Sequence, residues 1–181
     1  MNLAQRQNGD KRYVVRDATP ADLDRVAEIK VWGWADTYAP LVPPGVLAPF
    51  LDVPEQARKL RLLLEMPGTL LLVAAAESEP PAGFALTHAD RSPEPWMESL
   101  HVLRVARGSG IGTALVRATA HRLLERGYRS LAWGVVSGND SAARFYEHHG
   151  AVKVGVEPVD WADGVSHTVY RWPDLTVWNE S

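Results

Sequence analysis

Residues 107–115 read RGSGIGTAL, a stretch with a glycine at every second position from 108 to 112. An apolar segment with strand character precedes it and a helical pattern follows, so the glycines mark a strand-to-helix turn. Glycine is unfavourable inside helices and strands, and its use here leaves the backbone of the turn bare. The first N–H groups of a helix lack intrahelical acceptors and carry the positive end of its dipole. The turn is therefore a candidate binding site for a phosphate group.

Side chains around the turn could add to such a site. Ser109 and Thr113 could offer hydroxyl donors, and Arg104 and Arg107 could offer charge, although either arginine could equally be a solvated surface residue. Two well-known phosphate motifs do not fit, because Walker A needs a lysine after its second glycine and the dinucleotide fingerprint needs glycine at Thr113. A glycine turn that only permits tight packing remains an alternative.

Strand and helix patterns alternate along the rest of the chain. Helices are predicted from Thr19 to Trp34, from Asp52 to the Pro67-Gly68 stop, over Thr113–Arg126 and over 139–150, while the proline-rich segment 38–50 is predicted to be irregular. Predicted strands are 13–18, 70–77, 82–89, 96–103, 130–136, 152–156 and 167–172. Three consecutive strands suggest an antiparallel meander, and strand 96–103, the glycine turn, its helix and strand 130–136 suggest a parallel crossover. The sequence thus predicts an α+β fold with a mixed sheet of six to seven strands and helices on both faces.

Length and composition restrict the function classes. A chain of 181 residues with 46% hydrophobic and 23% charged residues suits one globular domain, with residues 1–12 expected to be flexible. The net charge of -3 is spread without a basic block, so neither a nucleic-acid nor a membrane partner is expected. Cysteine is absent, which excludes disulfides, thiolate catalysis and cysteine-ligated zinc, and no metal is expected. The first residues lack an apolar signal core, so a cytoplasmic location is the default.

Two segments in tandem carry a resemblance to a known family. The stretch LHVLRVARGSGIGTALV at 100–116, followed by NDSAARFYEHHGA at 139–151, resembles the central cofactor-binding region of the GNAT-type N-acetyltransferases. The resemblance is most specific over residues 96–157, and the order of elements before and after also fits. It implies a mostly antiparallel sheet whose central parallel strand pair splays apart. The positions that match the family pattern are Arg107, Gly110, Gly112, Asn139, Ala142, Tyr146 and Gly150.

The resemblance implies that acetyl-CoA is the co-substrate. Its pyrophosphate would lie against the backbone amides of 108–113, and its pantetheine arm would run along the exposed backbone of 100–102 like an additional strand. Asn139 would hydrogen-bond the pantetheine arm, although an asparagine there can also act as a helix N-cap. The cofactor-binding residues implied in this way are Leu100, His101, Val102, Arg107, Gly108, Ser109, Gly110, Ile111, Gly112, Thr113 and Asn139.

Two residues are predicted to be catalytic. Tyr146 matches the tyrosine that many family members use as general acid toward the departing thiolate, with aromatic packing beside Phe145 as its alternative role. Some members that acetylate protein N-termini have a glutamate where this chain has Gly134. Others carry the carboxylate on the strand before the glycine turn, where Glu98 stands, and alternation predicts that Glu98, Leu100 and Val102 share a face. Glu98 is therefore hypothesised to be the general base, directly or through water, with a solvated strand end as the alternative. Substitute proton relays are His88, Asp90 and His101.

The acceptor is less defined. In the family, the first helix and the loop after it shape the acceptor pocket, which here points to Trp32, Trp34 and Tyr38, although Trp34 could instead pack in the core. The implied function is acetyl-CoA-dependent N-acetylation of a primary amine of a small molecule. Alternatives are acetylation of a protein N-terminus or lysine, a non-catalytic acyl-CoA-binding module, and an unrelated phosphate-binding fold. A homodimer is left open.

Overall fold

The computed structural model describes residues 11–179, which form one seven-stranded sheet with helices on both faces. The order of its strands is β1-β2-β3-β4-β5-β7-β6. The β4–β5 pair is parallel and the other neighbours are antiparallel, so the predicted α+β class and mixed sheet are confirmed. The strands are β1 Tyr13–Asp17, β2 Thr69–Ala76, β3 Gly83–His88, β4 Trp96–Val102, β5 Leu131–Val136, β6 Val152–Pro158 and β7 Ser166–Trp172.

The helices are α1 Leu23–Tyr38, α2 Pro44–Leu47, α3 Val53–Leu64, α4 Ile111–Glu125 and α5 Asp140–His148. The prediction of an irregular segment at 38–50 was wrong in part, because it contains α2 and a 3₁₀ turn over Ala48–Phe50. Pro44 stands at the start of α2, where its missing N–H would have had no acceptor anyway. Helix α4 begins at Ile111, two residues before the predicted Thr113, directly after Gly110.

Successive side chains of β2 and β3 point to opposite faces of the sheet, and different helices cover the two faces. Leu71, Val73 and Leu86 pack with residues of α1 and α3. Leu72, Ala74 and Ala85 point the other way and pack with Ile111 and Leu115 of α4. Both strands are consequently buried on both faces, which explains their continuous apolar sequence.

The central parallel pair is joined at one end only. Trp96 of β4 is in register with Ala132 of β5, and no further register pair follows between these strands. Past this point the two strands diverge, as the family resemblance implied. Their unpaired edges leave a gap in the middle of the sheet, above the turn that leads into α4.

A β-bulge interrupts the pairing of β3 with β4. Leu86 is in register with Ser99 and the next residue, Thr87, with Met97, so Glu98 is the extra residue on β4. The bulge reverses the alternation that was expected along β4. Glu98 lies on the α1 face, where it contacts Lys30, whereas Leu100 and Val102 pack with the clusters on the α4 face. The prediction that these three residues share a face was therefore wrong.

The beginning of the chain is described only from residue 11 onward. There Lys11 pairs with Glu79 at 2.8 Å, and the remainder of the segment that was expected to be flexible, residues 1–10, lies outside the described part. Within residues 11–179, none of the helices has the length and apolar character needed to cross a bilayer.

Candidate active site

A cavity of about 610 Å³ opens where β4 and β5 separate. Its walls come from the two splayed strands, the turn before α4, the inner side of α5 and the end of α1. The cavity passes through the sheet, because it is lined both by Trp34 on the α1 side and by Phe145 on the α5 side. A molecule bound here could therefore be reached by a second molecule from the opposite face.

The turn before α4 presents unpaired backbone amides to this cavity. Gly108 and Gly110 have φ angles of 79° and 82°, a left-handed conformation that glycine adopts without strain. The first hydrogen bond of the helix runs from the Ala114 N–H to the Gly110 carbonyl at 3.0 Å. The preceding N–H groups, from Ile111 to Thr113, have no carbonyl four residues back within the helix and remain available to an anion.

The two hydroxyl groups at the turn are already engaged. Ser109 donates to the Ala106 carbonyl at 2.6 Å, and Ser109 does not line the cavity. Thr113 Oγ1 lies 3.1 Å from His149 Nε2. Since Nδ1 of that ring is 2.8 Å from the Phe145 carbonyl and must donate to it, Nε2 accepts and Thr113 donates. Neither hydroxyl proton is thus free for a ligand, contrary to the expectation from the sequence.

Arginine side chains at the turn are held by acceptors on neighbouring elements. Arg107 Nε donates to the Val102 carbonyl at 3.1 Å, and its guanidinium lies 3.5 Å from Asp36 at the end of α1. Arg104 lies 3.6 Å from the same carboxylate but leaves 82% of its side chain exposed and does not line the cavity. Of the two, Arg107 is the one placed to face a bound anion.

Asn139 is the N-cap of α5 and also lines the cavity. Its Oδ1 accepts a hydrogen bond from the Ala142 N–H at 3.2 Å, which satisfies one of the free donors at the helix start. With the oxygen used in this way, the side-chain NH₂ group is the part that can donate to a ligand. The capping role and the predicted ligand role are therefore compatible.

Tyr146 combines packing with a position on the cavity wall. The residue is 7% exposed, and its ring centre lies 4.6 Å from that of Trp133 and 5.9 Å from that of Trp172. Burial, followed by the nearby Tyr38, raises the pKa of Tyr146 well above its usual range. The phenol therefore keeps its proton at neutral pH and can donate it within the cavity.

Glu98 is fixed by two basic side chains. One carboxylate oxygen lies 2.7 Å from His88 Nε2, and the other accepts from Lys30 Nζ at 3.1 Å. Loss of water around the carboxyl group alone would raise its pKa, but the hydrogen bond from His88 and the charge of Lys30 outweigh this effect and lower the pKa of Glu98 to about 2. Glu98 lines the cavity as an ionised carboxylate held by both partners, and the residue is also exposed to solvent, as its alternative role required.

The three substitute relays named from the sequence lie in different places. His101 lines the cavity and packs against Phe84, and burial, with the charges of Lys30 and Arg107, lowers the pKa of His101 to about 3. His88 contacts Glu98 but does not line the cavity. Asp90 does not line it either and accepts from Tyr128 at 2.9 Å.

The α1 end of the cavity is bordered by an aromatic cluster. Trp34 stacks on Phe50 at 4.7 Å between ring centres, lies 5.1 Å from Trp161 of the β6–β7 loop, and meets Tyr38 edge-on at 4.9 Å. Trp34 and Tyr38 line the cavity. Trp32 does not: it points outward, is 48% exposed and has the Arg25 guanidinium 5.1 Å above its ring.

The structure thus brings most of the predicted site residues to one cavity; those that line it are Trp34, Tyr38, Glu98, Leu100, His101, Val102, Arg107, Gly108, Gly110, Ile111, Gly112, Thr113, Asn139 and Tyr146. Sequence reasoning did not identify Phe50 and Trp161, whose contacts with Trp34 join segments far apart in the chain. It also missed His167 of β7, whose ring lies over Gly134. No local motif marks any of these residues.

Comparison with known proteins identifies the family. The model of the acetyltransferase (GNAT) family matches residues 31–151, which include the splayed strands, the glycine turn and α5. The chain belongs to this family. Among curated protein sequences, none matches it significantly.

Solved structures of acetyltransferases share the fold of this chain. The PaiA N-acetyltransferase of Thermoplasma acidophilum, in complex with coenzyme A, aligns with a TM-score of 0.70 at 20% identity, over 88% of this chain and 98% of its own. A ribosomal-protein-alanine N-acetyltransferase of Brucella melitensis aligns with a TM-score of 0.68 at 22% identity, over 88% and 98%. An acetyltransferase of Thermus thermophilus aligns with a TM-score of 0.69 at 19% identity, over 89% of this chain and 96% of its own.

Proposed function

We propose that this GNAT acetyltransferase transfers an acetyl group from acetyl-CoA to a primary amine of a small molecule. The observation that carries the proposal is the single cavity through the sheet, which joins the free amides at the start of α4 to the hydroxyl-bearing Tyr146 and to the carboxylate of Glu98. Phosphate binding, acid catalysis and attraction of a cation are thereby available along one continuous space.

Acetyl-CoA would occupy the α4–α5 side of this cavity. The N–H groups from Gly108 to Thr113, together with Arg107, suit its pyrophosphate, because they offer positive charge without side chains in the way. Backbone groups of Leu100 and the N–H of Val102, left without a strand partner by the separation of β5, suit the amides of the pantetheine arm. The complex of PaiA with coenzyme A supports this choice of donor for the family.

The transfer itself needs an acid for the leaving group. The amine nitrogen attacks the thioester carbonyl carbon, the carbon–sulfur bond breaks, and the departing thiolate takes the hydroxyl proton of Tyr146. A buried phenol with a raised pKa is protonated at neutral pH, and it can hydrogen-bond a developing thiolate. Water exclusion by the ring cluster around Tyr146 would strengthen that interaction.

Glu98 is proposed to attract and orient the protonated acceptor. Direct proton abstraction by Glu98, as hypothesised from the sequence, is energetically demanding because its pKa is about 2, far below that of an alkylammonium ion. A carboxylate that stays ionised nevertheless favours an ammonium group beside it. Glu98 would then contribute through its charge, with His88 bonded directly to its carboxylate.

The size of the acceptor is argued from the aromatic cluster of Trp34, Tyr38, Phe50 and Trp161. These rings contact each other across the α1 end of the cavity, and they join the 38–50 segment to the β6–β7 loop. Such an enclosure suits a small amine with an apolar part better than an extended peptide. Some N-terminal acetyltransferases have a glutamate at the position of Gly134. The absence of that glutamate here also favours a small amine over a protein N-terminus.

Two assays together test this function. Isothermal titration calorimetry with acetyl-CoA measures donor binding, and release of free thiol from acetyl-CoA is measured over a panel of small primary amines, alanine-terminated peptides and lysine peptides. Binding with turnover of small amines is expected. Turnover of peptides alone would assign a protein substrate, binding without turnover would indicate an acyl-CoA-binding module, and absence of binding would contradict the donor assignment.

A further inference from the structure

The imidazole of His167 occupies the space that a side chain at position 134 would fill. Trp133 and Val135 of β5 pack on the α4 face, so a side chain at Gly134 between them would point to the α1 face. A Cβ atom built on Gly134 would overlap the ring of His167, with Cε1 at 2.6 Å and Cγ at 2.8 Å. A ring that comes from β7 therefore stands in for a side chain of β5.

This space lies at the acceptor side of the cavity. Because Trp96 and Ala132 are in parallel register, Gly134 is level with Glu98 on the opposite strand, at the point where the splay begins. Both residues line the cavity. His167 is in register with Val136, which packs with Val42 and Leu47 under the segment that follows α1. His167 does not itself line the cavity; its ring lies against Gly134, which does, with Nδ1 nearest to that residue, on the face from which an acceptor would approach.

The surroundings of His167 favour a neutral ring. Its side chain is 17% exposed, and Nε2 is 3.9 Å from the Glu157 carboxylate, which is too far for a hydrogen bond. The charged groups that face it are Glu157 of β6, Asp160 of the following loop and Arg91 of the β3–β4 loop. Burial has the largest effect and lowers the pKa of His167 below 6.5, despite the opposing effect of the two carboxylates. A neutral imidazole has a lone pair that can accept a proton.

We propose that His167 is the general base of the transfer and takes the place of a carboxylate on β5. This inference rests on the proposed function. His167 accepts a proton from the acceptor ammonium, the nitrogen–carbon bond forms as the carbon–sulfur bond breaks, and the thiolate sulfur takes the Tyr146 proton. The second proton lost by the nitrogen passes through solvent and restores Tyr146. A neutral imidazole beside Gly134 suits this task better than Glu98, which is fully ionised and a weak base.

The test compares His167→Ala with the double variant Gly134→Glu/His167→Ala, which supplies a carboxylate from β5 in the space vacated by the ring. His121→Gln is the matched control, because His121 is an exposed histidine of α4 that does not line the cavity. Thiol release from acetyl-CoA is followed with benzylamine and with water alone as acceptor, since both must lose a proton. Calorimetry with acetyl-CoA and thermal unfolding are measured for each variant.

For His167→Ala we expect kcat/KM at neutral pH to fall by about a hundredfold or more, with unchanged acetyl-CoA affinity and recovery at high pH where the amine loses its own proton. The double variant should recover about tenfold of that loss or more, with a pH profile displaced toward acid. His167→Gln, a second substitution that keeps the size of the side chain, should repeat the loss.

Three results would overturn this assignment or separate it from the proposed function. A folded His167→Ala protein with the rate and pH profile of the wild type overturns the base role alone. Equal losses in His167→Ala and His121→Gln would also overturn it. If the wild type binds no acetyl-CoA, or binds it and releases no thiol with benzylamine, with any other small amine of the panel or with water, the proposed function fails and the base role fails with it.

Discussion

Tyr146 shows how one residue can satisfy a packing role and a chemical role together. Its ring fills the core between Trp133 and Trp172, while the residue also lines the cavity between α4 and α5. From the sequence, packing and acid catalysis were alternative roles for Tyr146, but its position in the structure is compatible with both. The chemical role therefore has to be measured through the hydroxyl group alone.

Replacing Tyr146 by Phe should lower kcat by about a hundredfold or more and change the Kd of acetyl-CoA little, because a proton donor to the thiolate acts mainly in the transition state. Single-turnover thiol release and calorimetry measure the two effects separately. Tyr170→Phe is the control, since Tyr170 belongs to the same cluster but bonds to Glu147 and does not line this cavity. Full turnover in Tyr146→Phe would contradict the acid role and leave Tyr146 with a packing role only.

Residue identities at the site were easier to predict than side-chain directions. The motif located Asn139, Tyr146 and the glycines, since their roles depend on local backbone geometry. The predicted side-chain direction of Glu98 was wrong because of the bulge opposite Leu86 and Thr87. Such a bulge depends on how β3 and β4 pair and cannot be read from the sequence of β4 alone. His167 could not be found, because its ring reaches Gly134 from another strand.

At the scale of elements, the turn before α4 is the part whose sequence and structure agree most closely. The glycines at 108 and 110 adopt positive φ angles, and both have open space where a side chain would lie. Helix starts were also readable: Asp52 accepts from the Glu55 N–H at 2.8 Å and caps α3 as predicted. The short helix α2 was missed because prolines dominate the segment, although Pro44 occupies a helix-compatible first position.

Gly110→Val should abolish acetyl-CoA binding, because the added side chain would project over the free amides of the turn. The substitution also strains a left-handed backbone, so the matched control is Gly127→Val at the other end of α4. Gly127 has a φ angle of 86° and equally open surroundings, and it does not line the cavity. Calorimetry should show lost binding in the first variant only; similar affinities in both would contradict the proposed pyrophosphate site.

The start of α1 provides a prediction about acid stability. Asp22 accepts from Arg16 at 2.7 and 2.9 Å and from the Thr19 N–H at 2.8 Å. The hydrogen bond from Arg16 outweighs the opposing effect of burial, and with the Thr19 bonds it lowers the pKa of Asp22 from 3.8 to about 2. Because the folded-state pKa is the lower one, the stabilisation is complete above pH 3.8 and is lost as the pH falls toward 2.

Asp22→Asn should therefore lower the free energy of unfolding by about 1–2 kcal/mol at pH 7, and the difference from wild type should shrink as the pH falls toward 2. Urea unfolding between pH 2 and pH 7 measures this difference in the free energy of unfolding. Asp24→Asn is the control, since Asp24 lies in the first turn of the same helix with 76% of its side chain exposed. An equal loss in both variants, or one independent of pH, would contradict the role of Asp22.

On the scale of the whole molecule, the cavity exists because two halves of the sheet diverge. Strands β1 to β4 pack with α1, α3 and α4, and β5 and β7 pack with α4, α5 and the C-terminal residues Leu175 and Trp178. The α+β class was predictable because apolar periodicity and the glycine turn set the order of elements. The cavity's aromatic border was not, because it depends on contacts between segments more than a hundred residues apart, such as Trp34 with Trp161.

Occupation of this cavity should stabilise the protein as a whole. A ligand that bridges the two halves and binds only the folded state, present at about 100 times its Kd, adds roughly 2.7 kcal/mol to the free energy of unfolding. Acetyl-CoA should accordingly raise the Tm by roughly 5–10 °C for a domain of this size. Differential scanning fluorimetry measures the shift; an unchanged Tm at saturating acetyl-CoA would argue against binding between the halves.

Mass spectrometry of the acceptor tests acetyl transfer to a small amine, because it identifies the molecule to which the acetyl group moves. The wild-type protein is incubated with acetyl-CoA and a mixture of small primary amines, alanine-terminated peptides and lysine peptides, and Tyr146→Phe serves as the parallel sample. One acetyl group added to one or more small amines, at a rate sharply reduced in Tyr146→Phe, is the expected result. Acetylation confined to the peptides would contradict the small-molecule assignment, and a mixture left entirely unmodified despite bound acetyl-CoA would contradict acetyl transfer itself.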